Sequence, residues 1–157
     1  VINRLLFNEM IFPIGILIAL CTLSSIIIWW RSKDAKGKVE LDSPFTLGPA
    51  LKFGAFFALI LALVKIADVY LSSSGVYVVS FISGLADVDA ITVSLSQLAK
   101  TDLALETAKR GIMIAALTNV GVKGGIAYLF GGKKFGRFVL GLFCLIIVVG
   151  LLVTFLM

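Results

Sequence analysis

The chain contains no histidine. That removes the commonest general base and the commonest transition-metal ligand. Its two cysteines, Cys21 and Cys144, each lie inside an apolar run far from the other. They read as small buried hydrophobes, and neither a disulfide nor a thiolate metal site is expected. Charge is also scarce: 15% of the 157 residues are charged, for a net charge of +5. The lysines and arginines gather at the ends of apolar runs, as head-group anchors do, so the basic balance does not indicate nucleic acid. No phosphate-binding loop is present, because "GGKKFG" lacks both the spacing and the Ser or Thr such a loop needs.

What fills the chain instead is apolar: 60% of its residues are hydrophobic, and mean hydropathy is +1.10. A water-soluble domain of this length has no core large enough to hide that much apolar surface. The expected fold is an all-α integral membrane protein forming one polytopic domain, residues 1–157. Residues 10–30 and 138–157 carry no charge and are long enough to cross a hydrocarbon core. Trp29 and Trp30 end the first run where an interfacial aromatic belt sits. That run is too long for a signal peptide.

Three further segments, about 50–71, 76–99 and 110–130, are apolar but polar-cored. They hold Lys65 and Asp68, then Asp87 and Asp89, then Lys123. About five hydrophobic segments follow. Ser43 and Pro44 are start signals in the basic loop, and Pro49 opens the second helix. "SSSG" at 72–75 predicts a tight turn, and "GGKKFGR" pairs helix-ending glycines with basic anchors. Arg31, Lys33, Lys36 and Lys38 point to a cytoplasmic first loop. Whether segment 76–99 crosses or re-enters decides the side of the later loops. Each of these loops holds three basic residues, so their count is tied.

Two carboxylates in an apolar segment carry a cost. An Asp at mid-bilayer costs about 2.5–3.5 kcal/mol, so the pair costs about 5–7. The Val, Ile, Leu and Phe residues of the segment return about 3–7 kcal/mol, so it is marginal alone. On a continuous helix Val88, Ile91, Leu95 and Leu98 form an apolar stripe. Ser83, Asp87, Ala90, Ser94 and Gln97 form a polar stripe beside it, and Asp89, Thr92 and Ser96 form another. Asp87 and Asp89 share one ion only if the backbone opens near Gly84, as broken membrane helices do around transport sites.

The residues expected to form the site are Asp87 and Asp89 as ion ligands, with Ser83, Gly84, Thr92, Ser94 and Asn119 around them. Lys123, one turn after Asn119, is the natural counter-ion, and Gly121, Gly124 and Gly125 allow close helix approach. Lys65 and Asp68, three apart, can pair on their own helix. A bland alternative makes all these charges structural pairs that set helix register. Three intramembrane aspartates against two lysines favour a cation or protons over an anion, and the hydroxyls suit a hard cation.

The strings "SPFTLGPALKF", "SSGVYVVSFISGLADVDAITVSLSQLA" and "AALTNVGVKGG" resemble, in order, the membrane domain found C-terminal to MgtC/SapB-type domains in bacterial and archaeal proteins. The resemblance runs over about 43–132, and "GLADVDA" is its most specific part. It implies a prokaryotic inner-membrane protein, with Gly84, Asp87, Asp89, Ala90, Ser94, Asn119 and Lys123 at the motif positions, and an MgtC/SapB-type partner domain. The expected function is transport of a cation or protons, with no cofactor beyond a bound monovalent or divalent cation. A homodimer is expected, with inverted protomers as one arrangement. The alternative is a non-transporting membrane module that assembles with or regulates another membrane protein. An enzyme is not expected. Asp68 beside Tyr70, "GLAD" at 84–87 and "PAL" at 49–51 are in the wrong order for an intramembrane aspartyl protease, and Ala86 replaces its second glycine.

Overall fold

The long charge-free runs become helices, and every regular element among the described residues of the computed structural model is helical. Those residues are 2–31, 47–130 and 133–156. The elements are α1 (Arg4–Arg31), α2 (Leu47–Ala86), α3 (Asp89–Leu98), α4 (Leu105–Phe130) and α5 (Lys133–Leu156). Helix α2 is bent at Ser72, whose φ of 53° and ψ of −156° are non-helical, into a first arm, 47–71, and a second, Ser72–Ala86. The tight turn expected at 72–75 is therefore a one-residue corner between two helical arms. Its backbone lies near a region populated mainly by glycine, and such a residue costs about 1–3 kcal/mol. Ser43, Pro44 and the basic stretch Lys33–Lys38 lie outside the described residues, as do the glycines at 131–132.

Among the described residues, three helices are long and apolar enough to cross a membrane: Arg4–Trp30, Leu105–Leu129 and Phe135–Thr154. The second arm of α2 is apolar but shorter. Large apolar side chains face outward along these helices, among them Phe12, Trp29, Trp30, Val78 and Leu129. In water such a surface would aggregate, whereas in lipid it is the expected exterior. This is a membrane protein.

Contacts along α4 set the direction of its neighbours. Helix α5 runs antiparallel to it. A Cβ on Gly136 would meet the backbone of Tyr128 and Ala127, one on Gly124 would meet Phe143, and one on Gly150 would meet Leu117. The second arm of α2 runs parallel to α4. Ser73 Oγ lies 3.0 Å from Thr107 Oγ1, and Gly84 sits against Ala115 and Thr118. Helix α3 then comes back. It leaves the level of Gly84, passes Gly111 at Leu95, and ends in a turn over 99–104 that leads into α4. Lys65 Nζ meets Asp102 in that turn at 3.1 Å, which puts the end of the first arm at the same end of α4. The second arm and α3 thus form a helical hairpin, and its tip lies beside Asn119. At 1.5 Å per residue that is about 21 Å along α4, in a helix about 39 Å long.

The core lies where this hairpin meets α4. Val76, Ile91, Leu95, Leu98, Ala108, Ile112, Met113 and Ala115 are buried there. Ile60 and Val64 of the first arm and Leu6 and Met10 of α1 close the cluster. The apolar stripe expected on 88–98 is the face of α3 turned into this core. Helix α4 begins at Leu105, earlier than the segment expected at 110, because "LETAKR" continues the helix.

Candidate functional site

The helix stops after Ala86 and resumes at Asp89, so the backbone opens at Asp87 and Val88. The opening lies three residues beyond Gly84, where it was expected. Gly84 has a different task. A Cβ there would stand 2.5 Å from the Ala115 carbonyl oxygen and 2.9 Å from its Cα, so only glycine lets the hairpin lie this close to α4. Gly111 does the same from the α4 side, against Leu95 and Ser80. Small residues at such crossings are how membrane helices approach each other.

A helix ending in an apolar setting leaves carbonyls without partners. Here the side chains answer them. Asn119 Nδ2 donates to the Gly84 carbonyl at 3.3 Å, and Ser83 Oγ donates to the Asp87 carbonyl at 3.3 Å. The Asp87 N–H closes the last turn on the Ser83 carbonyl at 2.8 Å. Asp89 opens α3, where the positive end of the helix dipole favours a carboxylate. The negative end of α2 faces the same gap, beside Asp87.

Asp87 is half-buried and Asp89 exposed. The ion pairs among the described residues include Lys65–Asp102, Lys109–Glu9 and Lys109–Glu106, and neither tip aspartate belongs to one. Lys123 is exposed and makes no ion pair there, so it is not the counter-ion expected for Asp87 or Asp89. It lies one turn past the tip, where its long stem can snorkel toward the C-terminal end of α4. The expected Lys65–Asp68 pair is also absent. Lys65 reaches across to Asp102 instead, and Asp68 is half-buried. Ser94 is buried and donates to its own helix at the Ala90 carbonyl, 2.8 Å away. Thr92 lies on another face of α3, half-buried in a groove against α1. The structure therefore gathers Ser83, Gly84, Asp87, Asp89 and Asn119, and leaves Lys65, Asp68 and Lys123 apart.

One polar cluster falls outside the expected site. Lys109 has only 4% of its side chain exposed, and its Nζ lies 2.7 Å from Glu106 and 3.2 Å from Glu9 of α1. The i,i+3 spacing of Glu106 and Lys109 could have suggested half of it. Glu9 could not be found from sequence, because it lies a hundred residues away.

Known proteins resemble this chain in sequence. The profile of a domain of unknown function (DUF4010) matches residues 1–131. The chain belongs to that family. The family match takes in α1, the hairpin and all of α4, a wider span than the 43–132 of the resemblance. An uncharacterized protein of Aquifex aeolicus (strain VF5) is 31% identical over 161 residues, covering 96% of this chain and 70% of that protein. No solved structure matches. Neither finding carries the expected association with MgtC/SapB-type domains.

Proposed function

We propose that the chain is a membrane transport protein that binds a cation, or relays protons, at the hairpin tip. The observation that carries this reading is a pair of carboxylates without ion-pair partners at a helix break halfway along α4. At that depth two charges are costly, and the physical remedies are protonation or a bound cation. Broken helices of this kind put carbonyls and helix ends around ions in transporters. Asp87 and Asp89 supply charge, Ser83 and Asn119 hold the opened backbone, and Thr92 lies one turn from Asp89. No catalysis is part of the proposal.

In this reading α1, the first arm of α2, α4 and α5 cross, and the hairpin re-enters from the side of the α4 N-terminus. Five hydrophobic segments then become four crossings and one re-entrant loop. The C-terminal end of α1, the basic stretch after it and the α4–α5 connection share one side. That side gathers Arg31, Lys33, Lys36, Lys38, Lys133, Lys134 and Arg137. The opposite side has Arg4, Lys65, Lys100, Lys109 and Arg110, two of them in ion pairs. The positive-inside rule makes the first side cytoplasmic, in a prokaryotic inner membrane. Four crossings make a thin wall, so a homodimer completes the proposal, with protomers in one orientation because of this charge bias.

A second reading has a specific observation behind it. A groove of about 510 Å³ runs beside the tip, lined by residues that include Phe81, Leu85, Leu117, Gly121 and Ile147. It would suit a helix of another membrane protein, and an MgtC/SapB-type domain belongs with this reading. Thermal stability in detergent against Na⁺, K⁺, Mg²⁺ and pH separates the two. A cation at a hundred times its dissociation constant should add about 2.7 kcal/mol, and Asp87→Asn and Asp89→Asn should each abolish the gain. No gain from any of them, with mutants merely less stable, favours the module.

A further inference from the structure

We propose that the end of the molecule where α1 finishes and α5 begins binds the headgroup of an anionic phospholipid. Such binding is independent of the tip site and of which side of the membrane this end faces. Glu9 meets Lys109 near the start of α4, so the C-terminal end of α1 lies at the far end of α4. Helix α5 runs antiparallel to α4 and starts there too, and α1 packs along it.

Charge is spread unevenly between the two ends. Among the described residues the α1/α5 end holds Arg31, Lys52, Lys123, Lys133, Lys134 and Arg137, and no carboxylate. Residues 32–46 add three lysines and three carboxylates, which leaves the balance unchanged. The opposite end holds five cations against Glu9, Asp68, Asp102 and Glu106, a formal sum of +1, and the tip aspartates hold −2. The net +5 of the chain therefore originates at one end, which carries +6.

At the opposite end the protein supplies its own anions: Asp102 holds Lys65, and Glu9 and Glu106 hold Lys109. At the α1/α5 end no described carboxylate is there to do so. Lys133 and Lys134 open α5, and Arg137 follows one turn later with its side chain exposed. Trp29 and Trp30 are exposed beside Arg31, and Tyr128 is exposed near the end of α4. Exposed Trp and Tyr mark the headgroup level, so these cations stand at the depth of lipid phosphates. Arginine grips phosphate with two parallel hydrogen bonds. A zwitterionic headgroup brings its own cation, whereas an anionic one leaves its charge for the protein. Basic clusters beside membrane helices select anionic lipids for that reason.

Trp29 and Trp30 are the two tryptophans of the chain, so their fluorescence reports which lipid lies at this end. The full chain is reconstituted with acyl-brominated phosphatidylglycerol or acyl-brominated phosphatidylcholine of equal chain length, each diluted in unbrominated phosphatidylcholine. Quenching is expected to show about a tenfold preference for phosphatidylglycerol. Lys133→Gln, Lys134→Gln and Arg137→Gln together should bring the ratio close to one. Lys100→Gln with Arg110→Gln, at the opposite end, should leave it unchanged. Equal quenching by the two lipids in the parent, or a preference that survives the triple variant, would overturn the assignment. So would a preference abolished by inorganic phosphate at constant ionic strength, because the site would then belong to a soluble anion. If the triple variant fails to fold, Arg31→Gln is read by the same ratio, which should fall.

Discussion

The chain contains two helical hairpins built against the same helix, and they end differently. In the α4–α5 hairpin Gly136 is pressed against the Tyr128 and Ala127 backbone. The hairpin of the second α2 arm and α3 turns beside Asn119, where the chain is still flanked by apolar residues. Both use glycine for close approach. The second has polar side chains at its turn, because backbone groups exposed at that depth find no water unless a cavity supplies it. Ser83 and Asn119 serve the backbone, and the aspartates remain for another task. A polar residue in a membrane helix thus has two separable uses, and the hydrogen bonds tell them apart.

Three sets of substitutions would break or sharpen that contrast. The largest effect is expected from glycine. Gly84→Ala and Gly136→Ala each drive a Cβ into backbone, so each should cost about 1–3 kcal/mol in thermal unfolding. They should differ in ligand response: Gly84→Ala loses the cation-dependent gain, and Gly136→Ala keeps it. If both lose it equally, the hairpin tip is not a distinct site. Next, Asn119→Leu leaves the Gly84 carbonyl without its donor and should cost about 1–3 kcal/mol. A loss within experimental error would mean that water already serves that carbonyl. Smallest, Ser83→Ala removes one hydrogen bond and should cost about 0.5–1.5 kcal/mol in the same assay.

Much of this is legible in the sequence. The outer crossings follow from charge-free runs, and the residues around the tip from polar groups crowded into 83–92 and 119. Asn119 stands out because it lies in "TNVGVKGG", although nothing in that string shows that it caps Gly84. What sequence does not carry is direction. A helix interrupted at Asp87 looks the same in sequence whether the chain goes on across or turns back. The difference lies in long-range contacts, such as Ser73 with Thr107 and Leu95 with Gly111. Lys123 misleads because one-turn spacing from Asn119 gives its face but not its depth, which is past the tip. Lys65 pairs with Asp68 on local spacing alone, while the fold offers Asp102. Glu9, Glu106 and Lys109 escape notice because their mixed charges resemble a loop.

Re-entry of the hairpin is open to one direct measurement. Ser74 and Lys100 are both exposed and lie at the two feet of the hairpin. Each is changed to cysteine in the background without Cys21 and Cys144, and labelled with an impermeant maleimide in right-side-out and inside-out vesicles. A re-entrant hairpin predicts that both positions label from the same, non-cytoplasmic side. Labelling from opposite sides would show that residues 76–99 cross the membrane, and the re-entrant site would have to be abandoned.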